Sequence, residues 1–70
     1  MDAQQALAER IAKARRKAGL TQKQVAAALC VSRPSVSWME TGSRSVQALE
    51  LKELARLYKV PIQSLLEDAA

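Results

Sequence analysis

Arg33, Pro34, Ser37 and Trp38 carry the side chains best suited to recognition chemistry in this chain. At helical spacing, positions i, i+1, i+4 and i+5 share one face. A guanidinium at Arg33 can donate to guanine O6 and N7 together, a contact that discriminates between bases by about 1–3 kcal/mol. A Ser37 hydroxyl suits a base edge, and a Trp38 ring suits a thymine methyl or the sugar–phosphate backbone. Gln22 and Lys23 open the preceding segment, where first-turn amides, a helix dipole and polar side chains together suit a phosphate. Ser32 and Ser35 add hydroxyls for phosphate, and Arg44 stands as a further phosphate clamp beyond them. Each has a plainer alternative. Arg33 and the serines also suit a solvated surface, Ser32 is first of all a helix cap, and a small rotation would turn Trp38 into a gap-filling core residue.

Other chemistry is excluded by composition. The chain has no histidine and one cysteine, so His-based catalysis and zinc sites fall away. Its carboxylates are dispersed, and its two glycines, Gly19 and Gly42, build no phosphate loop. No catalytic residue, metal or cofactor is expected, and the chain does not read as an enzyme. One cysteine, Cys30, forms no intrachain disulfide; it reads as an inert turn residue, with redox sensing as the alternative. No apolar run approaches the ~20 residues of a membrane span, and the N-terminus lacks signal-peptide character. A soluble, cytoplasmic protein is the expectation.

Charge points to the partner. Residues 10–44 hold eight Lys and Arg against one acid, Glu40, for a local +7. The remainder carries −3, and the whole chain +4. A protein basic in one half has a face for a polyanion.

The elements that must position these residues are helical. Seventy residues make one small domain, read as 1–70, in which too little surface can be buried for a layered sheet. A first helix is expected over 3–18, with Leu7, Ile11 and Ala14 as its apolar stripe. Gly19 ends it. Thr21 and Gln24 form a capping box for a second helix over 22–29, with Val25, Ala26 and Leu29 inward. Ser32 caps a third over 33–41, Pro34 fits its first turn, and Val36, Met39 and Glu40 face inward. A fourth spans 48–58 on Leu51, Leu54, Ala55 and Tyr58. Val60-Pro61 breaks the chain before a fifth over 62–68, and Asp68-Ala69-Ala70 is expected to fray. The second and third helices, joined by Cys30-Val31, have the pattern of a helix-turn-helix.

With these pieces placed, the chain resembles the lambda-repressor-like (XRE, Cro/C1-type) helix-turn-helix family. The resemblance runs over about residues 7–66. It rests on Leu7-Ala8-Glu9-Arg10-Ile11, Arg15-Arg16-Lys17-Ala18-Gly19-Leu20-Thr21-Gln22, Val31-Ser32-Arg33-Pro34-Ser35-Val36-Ser37, Glu40-Thr41-Gly42 and Leu54-Ala55-Arg56-Leu57-Tyr58-Lys59-Val60-Pro61. Residues 46–55 look like a subgroup linked to ImmA-type metallopeptidases, although no HExxH helix is present. The resemblance implies an all-α, five-helix DNA-binding domain. It places Gln22 on a phosphate and pairs Arg15 with Glu40 in a structural ion pair. It also implies a homodimer, with Tyr58, Ile62, Leu65 and Leu66 at the interface; the alternative is that these four only close the core.

The expected partner is double-stranded DNA, read in the major groove at a palindromic operator by a transcriptional regulator, a repressor. An antitoxin or restriction–modification controller of the same fold, or a protein-interaction module, is the alternative, and a toxin or metallopeptidase partner stays open. Three positions depart from the family pattern. Cys30 and Lys59 stand where glycine is usual, and Gln47 stands where a hydroxyl cap is common.

Overall fold

A computed structural model describes residues 2–67. Five helices run in order: α1 (Ala3–Lys17), α2 (Gln22–Leu29), α3 (Arg33–Thr41), α4 (Ala48–Tyr58) and α5 (Ile62–Leu66). No strand occurs among the described residues, so the fold is all-α. The expected frayed residues, Asp68-Ala69-Ala70, lie outside the described part.

Local chemistry sets the starts of α1 to α4. The Asp2 carboxylate accepts from the Gln5 amide at 2.7 Å, a cap the sequence reading passed over. Thr21 accepts from Gln24 N at 3.1 Å while the Gln24 side chain accepts from Thr21 N at 2.8 Å, which makes the box reciprocal. Ser32 Oγ accepts from Ser35 N at 3.3 Å. At α4 no hydroxyl cap is present, but Glu50, in the first turn, supplies the carboxylate half of a capping box and accepts from Gln47 N at 3.0 Å.

Four stops share one geometry. Gly19, Cys30, Gly42 and Lys59 all adopt left-handed φ, at 76°, 58°, 80° and 58°. The next amide then donates five residues back, from Leu20 to Arg15 O, Val31 to Ala26 O, Ser43 to Trp38 O and Val60 to Ala55 O, at 3.0–3.2 Å. Leu20, Val31 and Val60 pack against the core. Two of the four stops lack glycine, and a Cβ in this region costs roughly 1–2 kcal/mol. The Cys30 side chain is exposed, so glycine there sacrifices no packing. Cys30→Gly is expected to raise stability by about 0.5–1 kcal/mol, the relief of strain offset by extra freedom in the unfolded chain. Thermal melting checks this; an unchanged or lower melting temperature means that the turn holds its shape without strain.

The core gathers Ile11, Val25, Val36, Met39, Leu51, Leu54, Tyr58 and Leu65. Helix α1 packs against both α3 and α5, and α2 packs against α3. Because α1 is covered from two sides, its buried face is wider than a single stripe. Ala8 and Ala12 are buried with Ile11, while Leu7 and Ala14 sit at the margin. Small side chains there let the neighbouring helices approach closely.

Tyr58 and Leu65, expected at a dimer interface, belong to this core, with 4% and 1% of their surface exposed. The reason is geometric: α5 packs on α1 and α4, and that docking turns both side chains inward. Ile62 and Leu66 remain outside, 41% and 45% exposed.

Burial leaves one polar atom stranded. The Tyr58 hydroxyl is buried and makes no hydrogen bond among the described residues. Burial, followed by the nearby Glu40 charge, pushes its pKa well above the ordinary phenol value. A raised folded-state pKa means stability that is complete below the unfolded phenol value of about 10 and falls as pH climbs above it. Tyr58→Phe removes the unpaired hydroxyl and is expected to stabilise by about 1 kcal/mol at neutral pH. It should also flatten the alkaline limb of the stability curve. Chemical denaturation at pH 7 and above pH 10 checks both; a destabilised variant means that the hydroxyl has a partner.

Candidate nucleic-acid interface

Helix α3 is built to present one polar face. Val36 and Met39 are each 1% exposed and anchor it to the core. That anchoring fixes the opposite side outward. Arg33, Pro34, Ser37 and Trp38 there line one shallow cleft together with Gln22 from the start of α2. Trp38 is 51% exposed, so its ring does not fill a gap beside α4. Lys23 is exposed next to Gln22. The Ser32 hydroxyl donates to the Ser35 hydroxyl at 3.0 Å, so this pair is ordered at the foot of α3.

Behind the cleft lies a network that joins three helices. Arg15 Nε donates to Glu40 Oε2 at 2.6 Å and Arg15 Nη2 to Glu40 Oε1 at 3.1 Å. Arg15 Nη1 donates to Leu20 O at 2.9 Å. The side chains are 13% and 5% exposed, so water screens the pair weakly. The carboxylate holds the Arg15 pKa above its ordinary value, chiefly through the hydrogen bond. Gln22 Nε2 donates to the same Glu40 Oε1 at 3.0 Å. A carboxylate only accepts, so the Gln22 amide turns its nitrogen inward and its oxygen away. The nitrogen carries two hydrogens, so one donor of this side chain remains beyond its bond to Glu40.

Arg44 is placed differently from the phosphate clamp expected of it. Its guanidinium grips Glu50, Nη2 to Oε2 at 2.7 Å and Nη1 to Oε1 at 3.0 Å, and Nη1 also donates to Ser45 O at 3.2 Å. The physical cause is the α4 cap. Glu50 leans back over Gln47, which brings its carboxylate beside the loop that carries Arg44. The pair fastens the loop after α3 to α4. Arg44 holds the Glu50 carboxyl below the usual carboxylate range, so this tie contributes stability above that range and loses it as pH falls through the lowered value. Only the i, i+6 separation across a loop hinted at the pair.

An all-helical domain whose third helix is anchored by its apolar face and offers arginine, serine and tryptophan outward is a helix-turn-helix protein. The chain matches the model of the helix-turn-helix domain family over residues 6–69, and it belongs to that family. Such domains bind DNA and are typically not enzymes. No curated protein matches the chain. No helix among the described residues is long and apolar enough to cross a membrane. No group of metal-ligating side chains occurs among those residues.

Proposed function

We propose that the chain is a sequence-specific transcriptional regulator, a repressor, that reads double-stranded DNA with α3 in the major groove. The supporting observation is the convergence of Arg33, Pro34, Ser37, Trp38 and Gln22 on one exposed cleft. Arg33 reads a guanine, Ser37 a base edge and Trp38 a thymine methyl, with Pro34 against the groove wall. Lys23 and the amides opening α2 bind phosphate, and Ser32 and Ser35 flank them. Arg15, Glu40, Arg44 and Glu50 hold this surface in shape.

The protein acts as a homodimer on a palindromic operator in the cytoplasm, and residues 1–70 form one DNA-binding domain. Ile62 and Leu66, i and i+4 on α5, are the exposed apolar pair that supports a two-fold contact. Two recognition helices then stand about 34 Å apart, one turn of DNA.

Selection from a randomised duplex pool at physiological salt tests this reading. An enriched palindrome with half-sites one helical turn apart is the expected result. Enrichment of a single half-site removes the dimer but keeps base reading. No enrichment overturns sequence-specific regulation and leaves non-specific charge attraction.

A further inference from the structure

A second concave surface shares no described residue with the α3 cleft. An open groove of about 630 Å³ runs between α1, the end of α4 and α5. None of its lining residues comes from α2 or α3. Its two kinds of wall point to one kind of occupant.

The first wall is cationic. Lys13, Lys17 and Lys59 line the groove and are exposed. None of the three forms an ion pair among the described residues. By contrast, Arg15, Arg44 and Arg56 each hold a carboxylate. Among the described residues, Glu67 is the one carboxylate in the lining, against Arg10 and the three lysines; the excess of positive charge favours an anionic occupant. Arg10 sits at the groove's end and donates to Leu66 O at 2.8 Å, which fixes α5 against α1.

The second wall is apolar. Ala14, Ala18, Val60 and Pro61 line the groove between the lysines. A nucleic-acid backbone has no aliphatic side chains to place against such a wall, whereas a peptide does. The groove is open rather than enclosed. A small ligand there keeps much of its surface in water, while an extended or helical segment gains from several shallow contacts at once.

We infer that this groove, where Lys13, Lys17 and Lys59 rim an apolar wall of Ala14, Val60 and Pro61, docks an acidic segment of a partner protein that alternates carboxylates with aliphatic side chains. The site is separate from the recognition cleft, so the two surfaces can be occupied together. Among the described residues, the groove and the recognition cleft have no lining residue in common.

The test is display selection of random short peptides on the full chain, followed by titration of a labelled winner. Peptides rich in Asp and Glu with interspersed Leu, Ile or Val are the expected winners. The double variant Lys13→Glu/Lys17→Glu should weaken the winner by roughly tenfold or more, since two favourable contacts become repulsions. Both side chains are exposed, and a thermal melt establishes that the variant folds; Lys13→Ala/Lys17→Ala serves if the reversal does not. Arg16→Glu, on α1 but outside the groove, should leave the peptide affinity unchanged and so separates local contact from net charge. Neutral or basic winners, no winners, or equal losses at Arg16 and at the lysines overturn the proposal. Competition by a short random-sequence duplex at the peptide's own site also overturns it, and assigns the groove to DNA instead.

Discussion

Glu40→Ala is expected to lower the melting temperature by roughly 15–30 °C. Removing one member of a largely buried ion pair costs about 3–5 kcal/mol, because the survivor is left charged and unpaired. In a domain of this size each kcal/mol moves the melting temperature by about 4–8 °C. Here the loss reaches further than one partner, since Glu40 accepts from both Arg15 and Gln22. Arg15 is also bonded to Leu20 O, so it cannot swing out to water without opening the turn after α1. A chain of seventy residues has a total stability of roughly 4–10 kcal/mol. The variant therefore keeps only part of that stability, and at the low end of the range it is near half-unfolded at ordinary temperature. At low temperature, where it remains folded, its base preference should match the parent's, because Glu40 itself faces away from the cleft. Calorimetry and a cold binding assay check the two halves. A shift below about 5 °C would reduce the pair to the small worth of a surface salt bridge.

Arg33→Ala should do the opposite, leaving the melting temperature within about 2 °C and altering recognition. Arg33 is exposed, and no hydrogen bond or ion pair ties it among the described residues. If Arg33 reads a guanine as proposed, its loss removes a bidentate contact of about 1–3 kcal/mol, roughly fivefold to 150-fold in affinity at the preferred site. The penalty should be confined to one base pair in each half-site. Competition between the selected duplex and copies altered at single positions measures it. If the variant loses the same factor on every sequence, Arg33 holds a phosphate and the base is read by another residue of the cleft.

These two residues also mark what the sequence makes legible. The all-α architecture is carried by local signals: hydroxyl and carboxylate caps, glycine stops, Pro34 in a first turn and apolar residues at helical spacing. Such signals operate within a few positions, so a single sequence displays them. The depth of a side chain does not work that way. Leu65 shares its short helix with Ile62 and Leu66, which end outside, and only the docking of α5 on α1 and α4 decides which is covered. Ala8 and Ala12 were passed over because small residues give little hydrophobic signal, though they lie where helices come closest. The ties of Glu40 to Gln22 and of Glu50 to Arg44 depend on how helices cross and how a cap leans. Glu50 is at once a cap and a clamp. The cleft residues were picked out by chemical type; their convergence with Gln22 is a product of tertiary structure.

The four left-handed stops have a dynamic consequence. The amides of Leu20, Val31 and Val60 belong to no helix, yet each donates to a carbonyl five residues back, and its own side chain packs on the core. An amide in an ordinary loop exchanges its hydrogen with solvent almost at once. These three can exchange only when the preceding helix end and the core beneath it open together. They should therefore be among the slow amides of the molecule, alongside those of the buried helix faces. The connections then behave as parts of one cooperative unit, and the helices cannot loosen one at a time at their joints.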